Sequence, residues 1–335
     1  MAGSRCVPEV RPPSLMNSLS RRCRRRRRIA LGVALALGIL SLDTGHAQLA
    51  KARAALDRVH TVGRMRFFYA TQGPHAVSAA DANGNGLPDQ VEDIATQTRA
   101  AWLLFIDALG FPDPFLGDRF RAARYLDVHL ISKDVLKSNG VAYDEIQRYN
   151  RKDDPAGAGS LCFNVATSVH APANLTPAHE FFHLIQYGAT YFKNSWYLEG
   201  MARWSEKGLG QGGAGTGLGG AWPPAAATWE KIDELSYNAC AQLWDPLAKH
   251  LDPTGDLPAD QLPTALRDLK YVNGDPVLKD LKLHGWRAMR QILQDLAPAH
   301  TQAAHDRHLD RWSESEQRNK ENTPLIRKVV EGVGR

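Results

Sequence analysis

The chain has 335 residues, of which 43% are hydrophobic and 23% charged, with a formal net charge of +5. Nine arginines against two acidic residues lie in residues 1–47, so the rest of the chain carries about −2. The positive net charge of the whole chain therefore does not indicate nucleic-acid binding, and we predict no nucleic-acid partner. There is no internal repeat, and the residues after 47 suffice for one large domain or two small ones.

Residues 1–47 have the pattern of a secretory signal peptide. An arginine-rich segment (21–28) precedes an apolar run (29–42), and Gly45-His46-Ala47 provides a small-residue cleavage site. The apolar run is shorter than the roughly 20 residues of a spanning helix, although an uncleaved anchor is the alternative. We predict a secreted or periplasmic protein without a stable membrane anchor after cleavage. Cleavage would leave Cys162 and Cys240, either as one disulfide or as two buried thiols.

Residues 81–92 match the calcium-loop pattern D-x-[DN]-x-[DN]-G-x5-E at every defined position. Gly86 would allow the sharp turn, and a helix from Val91 to Gly110 is predicted to follow. An Asn/Gly-rich turn without calcium is the alternative interpretation. The predicted oxygen ligands are Asp81, Asn83, Asn85, the Leu87 carbonyl, Asp89 and Glu92.

Two apolar, β-branched segments next predict strands, around 125–131 and 161–169. A long segment without a predicted strand separates them. With the helices that follow, they predict an α+β fold.

The stretch TPAHEFFHLIQY, residues 176–187, contains the zinc-hydrolase pattern H-E-x-x-H. His179 and His183 are four residues apart, so on a helix they share one face and can bind one zinc ion. Glu180 is placed to act as the general base on a water that the zinc activates. Thr176 is the predicted N-cap, with Pro177 at the first helical position.

A catalytic zinc needs a third protein ligand. The segment NSWYLEGMARWSE (194–206) predicts a second helix, capped by Ser195, which carries Glu199 among apolar residues. A carboxylate in such surroundings is costly unless it is paired or binds a metal. Glu199 is therefore the predicted third ligand, with Glu206 as the next choice. The alternative is an ordinary glutamate near a helix start.

The two segments together resemble the gluzincins, in which H-E-x-x-H and a later E-G-x-A helix supply two histidines and a glutamate. The chain has Arg203 where the thermolysin branch has an acidic residue, and it lacks the G-A-M-E-N motif of aminopeptidases. The layout also resembles secreted bacterial metalloprotease-like proteins with an Asp/Asn/Gly loop upstream. The resemblance covers roughly residues 60–250 and implies a zincin-like metallopeptidase. In such a fold, a mixed sheet packs beside the active-site helix, and an edge strand of the sheet can bind an extended peptide.

The C-terminal part is predicted to be mainly helical. A glycine-rich loop (208–228) is a linker or a lid, and helices are predicted over 234–251 and 277–296. Tyr237 is the candidate oxyanion donor, although a structural role is the alternative, and His250 and Tyr271 are weaker candidates. The predicted organisation is 48–115 for the calcium-type loop and helix, 116–300 for the metallopeptidase domain, and 301–335 for a polar tail.

The predicted function is zinc-dependent hydrolysis of a peptide or protein substrate, with calcium as a structural ion. The alternative is a non-catalytic binding or adhesion protein that uses both ions as structural staples. Glu180 favours the enzyme, because a purely structural site tends to fill its fourth position with another protein ligand.

Overall fold

The computed structural model describes residues 47–149, 151, 154–210 and 220–335. The predicted signal peptide falls, except for Ala47, outside the described residues, and so does the middle of the glycine-rich loop. The described residues from 52 to 335 form one compact unit, which contains every element described below.

A mixed five-stranded sheet forms the centre of this unit. The strands are β1 Arg58–Val62, β2 Met65–Tyr69, β3 Ala123–Ile131, β4 Gly140–Ala142 and β5 Gly159–Ala166. Their order in the sheet is β1-β2-β3-β5-β4; β2, β3 and β5 run parallel, and the two edge strands are antiparallel to their neighbours. The α+β class and the strands β3 and β5 were predicted from the sequence and are confirmed. The other three strands are too short to show a periodic pattern.

Both faces of the central strands are buried, as expected for parallel strands. Side chains such as Val128 and Phe163 on one face belong to the hydrophobic core. The opposite face is polar: Asp127 accepts hydrogen bonds from Arg66 at 2.7 Å and from Arg151 at 2.6 Å. These arginines satisfy a carboxylate that is fully buried, which would otherwise be very costly.

Helices cover the apolar face of the sheet and form the C-terminal half of the chain. None of the described helices combines the length and the apolar character that a membrane-spanning segment needs. The helices are α1 Asp89–Trp102, α2 Lys133–Leu136, α3 Thr176–Ala189, α4 Ser195–Ser205, α5 Ala226–Glu230, α6 Ile232–Leu235, α7 Asp245–Leu251, α8 Thr264–Arg267, α9 Trp286–Asp306, α10 Glu314–Gln317 and α11 Thr323–Val333.

Three predicted helices differ in detail. The first continues past α1 as a π-helical turn, Leu103–Ala108, and ends at Gly110 with φ +66°. The helix predicted over 234–251 is interrupted at Ser236, where φ is +43°, and resumes through a second π-helical turn, Cys240–Trp244. The helix predicted over 277–296 has the wrong bounds, because α9 begins only after the left-handed backbone at Gly285 and continues to Asp306.

The last 35 residues pack against the start of α4. Ile326 and Val330 on α11 are fully buried. The backbone N–H of Lys193 donates to the Gln317 carbonyl at 2.7 Å, and the indole N–H of Trp196 donates to Thr323 Oγ1 at 3.2 Å. The C-terminal helices therefore hold α4 in place beside α3.

Cys162 and Cys240, the two cysteines that the sequence left open as a disulfide, are free and buried. Cys162 lies on β5 and accepts a hydrogen bond from the Tyr149 hydroxyl at 3.4 Å. Cys240 begins the π-helical turn before α7 and lies 3.6 Å from Asp245 Oδ1. The two thiols thus have different neighbours and do not pair.

Candidate metal centre

Helix α3 carries His179, Glu180 and His183, all of them buried. The helix starts at Thr176, one residue earlier than predicted. Asn174 Oδ1 accepts hydrogen bonds from the backbone N–H of Thr176 at 2.9 Å and from its hydroxyl at 2.7 Å. The prediction of Thr176 as the N-cap is therefore wrong: the N-cap is Leu175, whose side chain makes no capping hydrogen bond, and Asn174 accepts the first N–H group of the helix.

Glu199 comes from α4 and meets both histidines. Its Oε2 lies 3.2 Å from His179 Nε2 and 3.5 Å from His183 Nε2. The potential ligand atoms of these three residues lie within 4.8 Å of one another. Among the described residues, this is the group of His, Cys, Asp and Glu side chains that converges closely enough to hold a metal ion. The structure therefore brings together the three residues that the sequence predicted as zinc ligands.

Each histidine is oriented through its second ring nitrogen. Glu206 Oε1 lies 2.8 Å from His179 Nδ1, and Gln186 Oε1 lies 2.8 Å from His183 Nδ1. The Gln186 amide nitrogen donates to the carbonyls of Tyr197 and Leu198 (3.3 and 3.2 Å), so its oxygen is the acceptor for the imidazole. His183 thus carries its proton on Nδ1 when neutral, and the lone pair on Nε2 faces Glu199.

The charges at this site favour a cation. Burial opposes protonation of His179, but hydrogen bonds to Glu199 and Glu206 outweigh burial and raise its pKa to about 10. Burial also opposes ionisation of Glu199, yet its interactions with His179 and His183 lower its pKa far below the usual range. Two imidazoles and ionised carboxylates are the donors that zinc prefers, so the residues present fit a zinc ion.

Glu180 lies against the edge strand β4. Its pKa is raised, chiefly because burial disfavours the carboxylate, while the backbone N–H of Ala142 donates a hydrogen bond to it. A Cβ atom at Gly140 would lie 2.5 Å from Glu180 Oε1, so only glycine permits this close approach. The general-base candidate is thereby held between α3 and the strand.

Tyr237 also reaches the site. It follows Ser236, whose positive φ turns the chain back toward α3. The Tyr237 ring stacks on His179 with centroids 5.8 Å apart, and burial together with Glu199 raises the pKa of its hydroxyl. The two weaker candidates lie elsewhere: His250 is exposed on α7, and Tyr271 is buried with its hydroxyl bonded to Gln97.

His179, Glu180 and Tyr237 line an open cleft of about 360 Å³. A larger cavity, about 640 Å³, lies at the C-terminal end of α3 and contains none of the predicted ligands. The chemistry therefore points to the smaller cleft. Its lining consists of Ser138, Asn139, Gly140, Asn174, Leu175, Thr176, His179, Glu180, Arg203, Glu206 and Tyr237.

The predicted calcium loop is closed by its own hydrogen bonds. Asp81 accepts from the backbone N–H of Asn85 at 3.1 Å and of Gly86 at 2.8 Å. Glu92 Oε2 accepts from the side-chain amides of Asn83 at 3.0 Å and Asn85 at 2.9 Å. Asp89, in contrast, accepts from the backbone N–H of Ala82 at 2.9 Å, and Leu87 is half-buried. The loop thus folds around Asp81 and Glu92, and calcium binding stays a prediction.

Three features of the site were not predicted. Glu206 was predicted as a substitute ligand, whereas it bonds the far side of His179. Gln186 carried no assigned role, although its position three residues after His183 on one helix could have suggested it. The approach of Gly140 to Glu180 joins segments forty residues apart, so no local pattern signals it.

Comparisons with family models, with curated proteins and with solved structures found no match for this chain.

Proposed function

We propose that this protein is a secreted zinc-dependent peptidase with a zincin-like, gluzincin-type site. The observation that carries the proposal is the convergence of His179, His183 and Glu199 next to the buried Glu180, with His179 and Glu180 lining an open cleft. A zinc ion bound by these three residues would supply the Lewis acidity that polarises a carbonyl group and activates water.

Glu180 would act as the general base. Its carboxylate accepts the proton of the attacking water and passes this proton to the leaving amine nitrogen. A raised pKa suits this task, because a base must release the proton again as the amine leaves. Glu206 and Gln186 would orient the two imidazoles, which keeps each Nε2 atom available as a ligand.

Tyr237 would stabilise the developing oxyanion. The raised pKa keeps its hydroxyl protonated at neutral pH, so the group can donate a hydrogen bond to the carbonyl oxygen as that atom gains charge. The side chain is 48% exposed, so it can reach a substrate in the cleft.

The edge strand supports a peptide as the substrate. Tyr143 N–H donates to the Cys162 carbonyl, and Ala166 N–H donates to the Asn139 carbonyl. In an antiparallel pair, this pattern turns the backbone groups of Gly140 and Ala142 away from β5. On that outer edge, the Ala142 N–H donates to Glu180, and the Gly140 carbonyl accepts from Ser138 Oγ at 2.8 Å. An extended peptide could pair with the Gly140 N–H and the Ala142 carbonyl, directly beside Glu180.

Calcium is proposed as a stabilising ion in the loop of residues 81–92. The positive φ angles of Gly84 and Gly86 and the two backbone hydrogen bonds to Asp81 support a tightly turned loop that brings its oxygen-bearing side chains together. Oxygen ligands suit calcium, whereas the nitrogen-containing site suits zinc, so the two ions should not compete strongly.

The test compares zinc content and cleavage of a mixed peptide library by wild type, Glu199→Ala and Glu180→Gln, with and without a chelator. Glu199→Ala should lose zinc, whereas Glu180→Gln should keep zinc and lose at least about a hundredfold in turnover. Glu230→Gln, an exposed glutamate on α5, is the matched control. Equal cleavage by wild type and Glu180→Gln would reveal a contaminating protease, and no cleavage by either would favour the binding-protein alternative.

A further inference from the structure

Arg203 places a positive charge in the cleft. It lies four residues after Glu199 on α4, so both side chains emerge on the same side of the helix. Arg203 is exposed and lines the cleft together with His179, Glu180 and Tyr237. A guanidinium group at this position can reach a molecule bound in the cleft.

The carboxylates nearest to Arg203 in sequence and in the cleft already have other partners. Glu206 bonds His179 Nδ1, Glu199 contacts both histidines, and Glu180 receives the backbone N–H of Ala142. Within the described part of the chain, Arg203 forms neither an ion pair nor a side-chain hydrogen bond. Buried lysines elsewhere do pair, as Lys193 does with Asp144 at 3.2 Å.

A position in the last turn of a helix is favourable for any cation, because the helix dipole is negative there. That effect accounts for a basic residue near the end of α4. The dipole effect does not require the Arg203 side chain to face the cleft. If Arg203 served only this purpose, its removal would change the free energy of unfolding and nothing else. Binding selectivity is therefore the property that separates a ligand-binding role from a helix-capping one.

We propose that Arg203 is a specificity-determining residue that binds a carboxylate of the substrate. This inference rests on the proposed peptidase function, and it adds the substrate class: peptides with a carboxylate near the scissile bond. Arginine matches a carboxylate with two parallel, charge-assisted hydrogen bonds. The anions of an unmodified peptide are the side chains of Asp and Glu and the C-terminal carboxylate, and the cleft has room for either.

The test measures binding separately from cleavage. Randomised N-acetylated hexapeptides contain one fixed Glu or Gln and end in either an acid or an amide. They are incubated with the Glu180→Gln protein, and the retained peptides are identified by mass spectrometry. Peptides with the recognised carboxylate should be enriched by about tenfold or more over their neutral counterparts, in line with a charge-assisted hydrogen bond. Enrichment of Glu over Gln identifies a side-chain carboxylate, and enrichment of acid over amide identifies a C-terminal one.

Adding Arg203→Met to this protein should abolish the enrichment, and Arg203→Lys should restore part of it, because the charge returns without the two-pronged geometry. Melting temperatures would show that all variants are folded. Equal enrichment with and without Arg203, or no enrichment at all, would overturn the inference. Failure of the peptidase proposal is read independently, from equal or absent cleavage of the same peptides by wild type and Glu180→Gln.

Discussion

The contact between Gly140 and Glu180 offers a sharp test of the site geometry. In Gly140→Ala, the new Cβ would lie 2.5 Å from Glu180 Oε1, 2.6 Å from Glu180 Cγ and 2.6 Å from Thr176 Cγ2. Gly140 has no positive φ, so alanine suits the strand backbone and the change acts through these contacts. Either the glutamate rotates away or β4 moves off the start of α3.

The size of the effect on stability and turnover depends on whether Glu180 or strand β4 moves. Overpacking of this kind costs roughly 1–3 kcal/mol of unfolding free energy, which is a drop of several degrees in melting temperature. A displacement of the base by about 1 Å costs on the order of a hundredfold in turnover. Zinc content should not change, because the three atoms nearest to the added methyl group belong to Glu180 and Thr176 and not to the predicted zinc ligands.

The assay is kcat on a cleaved peptide, together with melting temperature and zinc content. Gly332→Ala is the matched control, since a Cβ at that exposed position of α11 meets nothing within 4 Å. It should leave activity unchanged and, in a helix, raise stability by up to about 1 kcal/mol. Full turnover in Gly140→Ala would refute the claim that Glu180 works in the position it occupies against β4.

Three further predictions concern metals and pH. Glu206→Gln should keep the fold but weaken zinc binding roughly 10- to 100-fold, measured by chelator titration, because His179 loses its orienting carboxylate; unchanged affinity would deny Glu206 that role. Burial and nearby arginines hold the pKa of His129 well below its usual value. The folded state therefore binds fewer protons than the unfolded state below about pH 6.5, and stability falls as the pH drops below that point. His129→Gln should flatten this acid slope in urea unfolding curves, and an unaltered slope would assign it to other groups. Millimolar calcium should raise the melting temperature of wild type but not of the double variant Asp81→Ala plus Glu92→Ala. At a hundredfold excess of calcium over Kd, the free energy of unfolding should rise by about 2.7 kcal/mol. An unchanged wild-type melting temperature would show that the loop is an ordinary turn that does not bind calcium.

The sequence by itself determined those features that repeat over a few residues. His179 and His183 share a face because they are one helical turn apart, and the spacing holds wherever the helix lies. The strands β3 and β5 were visible as long β-branched segments, and the calcium-type loop as a pattern of oxygen-bearing side chains. Each of these predictions depends only on local backbone geometry.

Only the tertiary structure decided which distant groups meet. Glu199 was predicted as a ligand from its unusual apolar surroundings, but its contact with both histidines depends on how α4 packs against α3. The same packing puts Glu206 on the outer nitrogen of His179 and turns Arg203 into the cleft. Gly140 reaches Glu180 because a three-residue strand pairs with β5, which no periodicity could reveal. Helical spacing fixes neighbours on one element, whereas contacts between elements are fixed by the burial of surfaces far apart in the chain.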